Sequence, residues 1–200
     1  MVSPIEFYFD FSSPYAYLAT AEIDALASRH NRTVSWRPIL LGVVLRQTGG
    51  KPLVDIPLKG DYMRRDVPRA ARRLNLPFVW PKVFPYAAIA ASRAFYWLGA
   101  RDETKAMLFA RAVFKASFAD GRDMTAPEEV AEVASHLGVD RAALLAALQD
   151  QAIKDRLKAE TEGALAKGVF GSPYFFIDGE GFWGHDRLAE IDHWLATGGW

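Results

Sequence analysis

Residues 7–18 read FYFDFSSPYAYL, and this stretch decides the fold. Apolar side chains at positions 5, 7, 9 and 11 alternate with the residues at 6, 8 and 10, which is the two-residue period of a β-strand. From Tyr15 to Leu26 apolar side chains recur every three or four residues, which predicts a helix that fades near residue 28. The stretch therefore predicts a strand that leads directly into a helix.

The junction between the two elements is Ser13-Pro14. A serine suits the N-cap of a helix, and a proline suits its first position because the N–H it lacks would have no helical partner there. Unpaired backbone N–H groups and the positive end of the helix dipole meet at this point. We therefore expect the junction to stabilise an anion, including a thiolate.

Composition narrows the class of protein. The 200 residues suit one domain or one domain with a large insertion, and half of them are hydrophobic, which predicts a packed core. Lysine plus arginine (24) balance aspartate plus glutamate (24), which argues against a nucleic-acid surface. No apolar run reaches the roughly 20 residues of a membrane span. The chain has no cysteine, so a disulfide oxidoreductase and a thiolate metal site are excluded. We expect a soluble cytoplasmic protein.

The remaining pattern predicts the order β-α-β, a block of helices, then β-β-α. Val34 to Trp36 read as a second strand, parallel to the first. Residues 40–60 are rich in glycine and proline and read as a long loop. Thr125 is predicted to open a helix as a capping box. Predicted helices cover about 62–74, 86–98, 103–118, 125–138, 141–148 and 151–167, and predicted strands 174–177 and 182–183 flank a turn at 178–181.

This order resembles a thioredoxin-like α/β fold with a large all-helical insertion, of the DsbA and kappa-class glutathione transferase type. Ser13-Pro14-Tyr15-Ala16 stands where redox relatives carry Cys-Pro-X-Cys. The resemblance implies a discontinuous thioredoxin-like domain, residues 1–45 and 165–200, and a loop plus helical insertion domain, residues 46–164. Four stretches are similar to 2-hydroxychromene-2-carboxylate isomerases: 9–14 (FDFSSP), 57–62 (PLKGDY), 121–123 (GRD) and 168–188 (GVFGSPYFF and FWGHDRL).

The resemblance implies glutathione-dependent chemistry. The thiolate of glutathione adds to an unsaturated substrate, allows rotation about a former double bond and leaves again. The net reaction converts 2-hydroxychromene-2-carboxylate, or a related intermediate of aromatic degradation, to trans-o-hydroxybenzylidenepyruvate. Naphthalene breakdown uses such a step. Relatives are homodimers, so the resemblance implies a homodimer here.

The resemblance also assigns roles to six residues. Ser13 is the catalytic residue, whose hydroxyl hydrogen-bonds the glutathione sulfur; as an alternative, it is only a helix N-cap. Ser172 and Pro173 match the cis-proline segment whose backbone pairs with the ligand. Asp186 and Arg187 match the pair that holds the γ-glutamyl end, although Asp186 also suits the N-cap of the last helix. Lys59 matches a lysine that binds a glutathione carboxylate.

Other side chains are predicted to play smaller parts. Two positions depart from the family pattern: Gly50 stands where kappa-class relatives have a glutathione-binding asparagine, and Ala87 where isomerase relatives often have asparagine. Four aromatic side chains are candidates for an apolar substrate pocket or for plain core: Trp80, Phe84, Phe114 and Phe118. No two of the four histidines have a metal-ligand spacing, so we expect no metal site, and His185 is interpreted as a surface or supporting residue. The basic stretch at 64–73 reads as a solvated helix face with local salt bridges.

Three functions remain open from the sequence. The first is the glutathione-dependent isomerase, with a small aromatic substrate. The second is a kappa-like glutathione transferase or peroxidase on the same scaffold. The third is a non-catalytic thioredoxin-like module that binds peptides along the Pro173 edge. Binding of glutathione would separate the last from the other two.

Overall fold

The computed structural model describes residues 3–200. Its centre is a four-stranded mixed sheet with the spatial order β2-β1-β3-β4. β1 (Ile5–Phe9) pairs in parallel with β2 (Val34–Pro38), and Phe7 is opposite Trp36. β1 also pairs antiparallel with β3 (Tyr174–Ile177), which forms a hairpin with β4 (Glu180–Trp183). The thioredoxin-like topology predicted from the sequence is confirmed.

Ten helices surround the sheet. They are α1 (Pro14–Ala19), α2 (Ile23–Arg29), α3 (Leu41–Thr48), α4 (Lys59–Arg73), α5 (Ile89–Gly99), α6 (Glu103–Phe114), α7 (Pro127–Ser135), α8 (Arg141–Ala147), α9 (Gln151–Ala166) and α10 (Leu188–Thr197). Short 3-10 turns occupy Leu53–Asp55 and His185–Arg187, and a π-helical turn at Lys115–Ala119 extends α6. Among residues 3–200, no helix is both long and apolar enough to cross a membrane.

Both faces of the sheet are buried. Successive side chains of a strand point to opposite sides, so each strand contributes to two packed layers. Phe7, Phe9 and Phe175 belong to the main core, which α1, α2, α5, α6 and α10 enclose. On the other face Tyr8 and Phe176 pack with residues of α3 and α9. The main core joins the strands to the helical block, since the Phe9 ring lies 5.5 Å from that of Phe114. The division into two domains stays a prediction.

Several predicted boundaries are wrong. The first predicted helix is split into α1 and α2, and the Thr20 hydroxyl donates to the Tyr17 carbonyl at the break (2.7 Å). Such a side-chain bond competes with helical pairing of the backbone. The predicted loop 40–60 contains α3. Thr125 caps nothing, because α7 begins at Pro127 with Ala126 as its N-cap.

The turn between β3 and β4 is tighter than the sequence suggests. It consists of two residues, Asp178 and Gly179, rather than the four predicted. Both have positive φ angles, 53° and 96°. Two-residue turns of this kind match the twist of the adjoining strands, and aspartate followed by glycine is a preferred pair for them. β4 therefore begins at Glu180, two residues earlier than predicted.

Gly60, in the first turn of α4, allows this helix to lie against the 3-10 turn at Leu53–Asp55. A Cβ atom at Gly60 would lie 2.4 Å from the Val54 carbonyl oxygen, a backbone atom. We therefore expect Gly60→Ala to lower the free energy of unfolding by about 2 kcal/mol, in the range for overpacking. Gly163, inside α9, has open space around it. Gly163→Ala is the matched control and should stabilise the protein by about 0.5–1 kcal/mol.

Urea unfolding of both variants measures these two changes. Equal effects of the two substitutions would contradict the close approach of α4 to Val54.

Candidate functional site

One cavity of about 1350 Å³ lies where α1, α3, α4 and the segments before β3 and after β4 meet. Six residues were assigned to a ligand from the sequence, and all six line this cavity: Ser13, Lys59, Ser172, Pro173, Asp186 and Arg187. They come from four separate segments of the chain: 13, 59, 172–173 and 186–187. The volume exceeds the range of about 300–1,000 Å³ for typical ligand sites, so the cavity has room for a tripeptide and a second small molecule.

Ser13 is the N-cap of α1, and its side chain is 5% exposed. Its hydroxyl oxygen accepts a hydrogen bond from the Ala16 N–H (3.2 Å). The same hydroxyl donates to the Ser172 carbonyl oxygen (2.9 Å). Because a hydroxyl has one proton to donate, a ligand atom can receive it only if the bond to Ser172 is exchanged. The N-cap role is therefore present, and it uses the hydroxyl oxygen as an acceptor while the proton is donated to Ser172.

The segment that faces Ser13 contains Ser172 and Pro173. Their peptide bond is cis, in agreement with the resemblance noted above. The Ser172 hydroxyl accepts a hydrogen bond from the Asp10 N–H (2.9 Å), which ties the segment to the end of β1. The Pro173 carbonyl accepts from the Gly184 N–H (3.1 Å). Both residues of the segment are thus held by hydrogen bonds from backbone N–H groups of neighbouring segments.

Asp10 lines the cavity and holds two of its segments together, a role that the sequence did not indicate. Its carboxylate accepts hydrogen bonds from the Ser12 N–H, the Ser12 hydroxyl and the Leu41 N–H, each at 2.7 Å. Burial raises the pKa of this carboxyl, and the three donors oppose that change. Leu41 is the first residue of α3, so Asp10 supplies the N-terminal cap that Leu40 cannot.

Lys59, Asp186 and Arg187 lie at the exposed rim. Lys59 is the first residue of α4, beyond the bend at Leu58. Asp186 and Arg187 belong to the 3-10 turn before α10, where the two side chains are 3.7 Å apart and Arg187 also pairs with Glu190. Asp186 does not cap α10, because the N-cap is Arg187 and no side chain caps it. The cap alternative for Asp186 is therefore wrong.

The cavity is rich in positive charge although the chain as a whole is neutral. Its wall contains six basic residues (Arg46, Lys51, Lys59, Arg69, Arg73 and Arg187) and three acidic ones (Asp10, Asp66 and Asp186). Within residues 3–200, Asp66 pairs with Arg69, whereas Arg46 and Lys51 form no ion pair. Arg69 and Arg73 are exposed and Arg69 forms a local ion pair with Asp66, as predicted for 64–73, and both residues also line the cavity. A cavity with this excess suits anionic ligands.

His185 lines the cavity and is 9% exposed, so the interpretation as a surface residue is wrong. Its ring stacks on that of Tyr15, with centroids 5.2 Å apart and planes 21° apart. The Tyr15 hydroxyl donates to Asp66 of α4 (3.0 Å). Burial lowers the pKa of His185, and burial together with Asp66 raises the pKa of Tyr15. Both side chains are therefore neutral at neutral pH.

Of the four aromatic residues predicted for the pocket, one lies in the cavity wall. Phe84 lines the cavity. Phe114 and Phe118 are fully buried in the main core, so a pocket role is wrong for both. Trp80 does not line the cavity; its ring packs 5.0 Å from that of Phe84.

Two aromatic residues of the rim were missed: Phe170 and Trp183, whose rings are 5.0 Å apart. Gly171 lies beneath Trp183 and accommodates it, since a Cβ there would be 2.2 Å from the indole nitrogen.

Gly50 and Ala87, the two departures from the family pattern, both line the cavity. Neither side chain can form a hydrogen bond, so the wall is apolar at these two positions. Among residues 3–200, no cluster of three or more histidine, cysteine, aspartate or glutamate residues is arranged to hold a metal ion.

Comparison with known proteins assigns this architecture to a family. A model of the DSBA-like thioredoxin domain matches residues 4–196. The 2-hydroxychromene-2-carboxylate isomerase of Pseudomonas putida is 33% identical over 94% of this chain and 92% of its own length. This chain belongs to the 2-hydroxychromene-2-carboxylate isomerase family. The resemblance inferred from the sequence is confirmed.

Other relatives agree with the isomerase family. A solved structure of 2-hydroxychromene-2-carboxylate isomerase has a TM-score of 0.87 and 30% identity, covering 96% of this chain and 94% of its own. The kappa 2 glutathione S-transferase of Caenorhabditis elegans is 30% identical over 96% of this chain and 90% of its own length. The isomerase family and the kappa transferases thus share this fold over nearly the full chain.

Proposed function

We propose that this chain is a glutathione-dependent isomerase that converts 2-hydroxychromene-2-carboxylate, or a related aromatic-degradation intermediate, to trans-o-hydroxybenzylidenepyruvate. One observation carries the proposal: Ser13, Lys59, Ser172, Pro173, Asp186 and Arg187 line a single cavity. The relatives named above support the reaction. A cytoplasmic homodimer that acts in naphthalene-type catabolism belongs to the same proposal and has its support in the family resemblance.

The residues present fit glutathione. Asp186 at the rim would meet its α-ammonium group, and Lys59 and Arg187 would meet its carboxylates. The Ser172 carbonyl would accept an N–H of the tripeptide in a short strand-like pairing. Glutathione would supply a thiolate nucleophile, which this chain, with no cysteine, does not contain.

The pairing at Ser172 bears directly on Ser13. The Ser13 hydroxyl donates to the Ser172 carbonyl in the absence of ligand (2.9 Å). A ligand N–H donated to that carbonyl would replace this bond, and the Ser13 proton would then be free to turn into the cavity. A hydroxyl that hydrogen-bonds a thiolate favours the charged form and so lowers the pKa of the thiol. Ser13 would thus be both a helix cap and the polarising group.

The second ligand would occupy the part of the cavity that α3, α4 and Phe84 enclose. Arg46 and Lys51, which form no ion pair within the described residues, provide positive charge for a carboxylate. Phe84 provides an apolar surface for an aromatic ring. A kappa-like transferase is the second candidate, favoured by Ala87, where isomerase relatives often have asparagine, and by the kappa relative.

The test follows the ultraviolet absorbance of 2-hydroxychromene-2-carboxylate after the protein is added. We expect conversion only when glutathione is present, and none with S-methylglutathione, which lacks the thiol proton. Conversion at the same rate without glutathione would contradict the proposal. Thioether formation with an electrophilic aromatic, in place of isomerisation, would favour the transferase.

Lys59 offers a test of the rim. We expect Lys59→Ala to weaken glutathione binding about three- to tenfold, because an exposed ion pair contributes roughly 1 kcal/mol and about 1.4 kcal/mol is a factor of ten. The loss should shrink at high salt. Isothermal titration measures it. Lys82→Ala, which removes an equal charge outside the cavity wall, is the control; equal losses in both variants would show a general charge effect instead of a contact.

A further inference from the structure

The imidazole of His185 lies in the cavity wall and forms no hydrogen bond with the described residues. The residue is only 9% exposed, and within residues 3–200 neither ring nitrogen forms a hydrogen bond or an ion pair. The ring nitrogens are not among the fully enclosed side-chain atoms of the described residues that lack a partner, so they are open to the cavity. This imidazole is therefore available to a molecule that occupies the cavity.

Two contacts fix the position of His185, and each of them involves a segment close to Ser13. Its ring stacks on Tyr15, which is two residues beyond Ser13 on α1. The residue before it, Gly184, donates its N–H to the carbonyl of Pro173 (3.1 Å), in the segment that faces Ser13. The imidazole thus belongs to the same end of the cavity as the hydroxyl proposed to meet the sulfur.

We propose that His185 accepts the proton that the glutathione thiol loses at Ser13, an inference that rests on the proposed function. The S–H bond breaks and an N–H bond forms on one ring nitrogen, so imidazole becomes imidazolium. The sulfur keeps the electron pair, and the Ser13 hydroxyl hydrogen-bonds it. The same ring nitrogen returns the proton when the thiol forms again. No oxidant, reductant or further reactant is needed.

The charges around His185 suit this role. Burial lowers its pKa below the usual value of 6.5, so the ring is neutral and able to accept a proton at neutral pH. The groups that face it are Asp186 on its own turn, Tyr15 on α1, Asp66 and Arg73 on α4, and Glu22 before α2. The three carboxylates favour the imidazolium, whereas Arg73 opposes it.

The experiment compares His185→Asn with the wild-type protein and with His136→Asn, which removes an exposed imidazole outside the cavity wall. The thiolate absorbance of bound glutathione is titrated with pH. Proton release is measured by calorimetry in buffers of different ionisation heat.

In the wild type we expect thiolate at neutral pH with no proton released to the buffer, because the thiolate formed beside the imidazolium raises the pKa of His185 in the complex. In His185→Asn the thiolate should form only at a pH higher by about one unit or more, with about one proton released for each thiolate. The value of kcat/KM at neutral pH should fall about a hundredfold. His136→Asn should behave as the wild type does.

Two results would overturn the inference. Identical thiolate titrations and proton release in His185→Asn and the wild type would exclude His185 as the acceptor while leaving the proposed function intact. No binding of glutathione by the wild type would remove the proposed function and this inference together. His185→Gln provides a second neutral side chain, so the result does not depend on the folding of one variant.

Discussion

Ser13→Ala is expected to lower kcat/KM for isomerisation by about 100- to 1,000-fold. Removal of one hydrogen-bond donor to a developing anion typically costs a factor of this size. The neighbouring Ser12 hydroxyl cannot replace it, since it donates to Asp10 (2.7 Å). The effect should fall on kcat/KM and on the thiolate absorbance of bound glutathione, both measured by ultraviolet spectroscopy.

Binding should change much less than catalysis in Ser13→Ala. Affinity for S-methylglutathione, which has no thiol proton, should stay within about threefold of the wild type, because Lys59 and the 186–187 pair are untouched. Stability should fall by about 1 kcal/mol from the lost N-cap of α1. Ser12→Ala is the matched control and should cost about fivefold in kcat/KM. A Ser13→Ala protein with wild-type thiolate absorbance would refute the role of the hydroxyl.

The parts of the fold that could be predicted are those with local signals. The period-2 run of β1 and the Ser13-Pro14 junction lie within ten residues of each other, and the structure has both as predicted. Asp140 likewise caps α8 by accepting the Ala143 N–H (2.7 Å), directly before the helix predicted at 141–148. Capping and strand alternation are short-range effects, so a single window of sequence contains them.

The parts that were missed depend on contacts between distant segments. α3 was predicted to be loop because residues 40–60 are rich in glycine and proline; its N-terminal cap comes from Asp10, 31 residues before Leu41. Phe114 and Phe118 were pocket candidates because aromatic spacing cannot tell a core face from a cavity wall. The position of His185 in the cavity wall was missed because it depends on the stack with Tyr15, 170 residues away in the chain. The six residues assigned to the ligand were predicted from the motifs shared with the family, since their spacing in the chain gives no such signal.

Asp10→Ala is expected to lower the free energy of unfolding by about 3–5 kcal/mol. The substitution leaves three donors without their acceptor: the Ser12 N–H, the Ser12 hydroxyl and the Leu41 N–H. An unsatisfied buried donor costs about 1–3 kcal/mol, and losses do not add fully when the groups are neighbours. Urea unfolding measures the change. Asp10→Asn should cost about half as much, because its amide oxygen still accepts while its NH₂ group opposes one donor.

The matched control for Asp10 is Asp102, a carboxylate that caps its own helix. Asp102 accepts the Lys105 N–H at the start of α6 (2.9 Å) and is exposed. Asp102→Ala should cost only about 1 kcal/mol, the usual value of a local N-cap. Comparable losses for the two aspartates would contradict the view that the Asp10 carboxylate joins the end of β1 to the start of α3.

The site should lose order together with α3 when Asp10 is replaced. Amide hydrogen exchange of residues 41–48 should accelerate in Asp10→Ala more than that of α8, because the N-terminus of α3 loses its acceptor while the Asp140 cap of α8 is unchanged. Since α3 forms one wall of the cavity, affinity for the second ligand should fall as well. Faster exchange spread evenly over all helices would instead indicate global destabilisation, and would refute a specific link between Asp10 and the wall of the site.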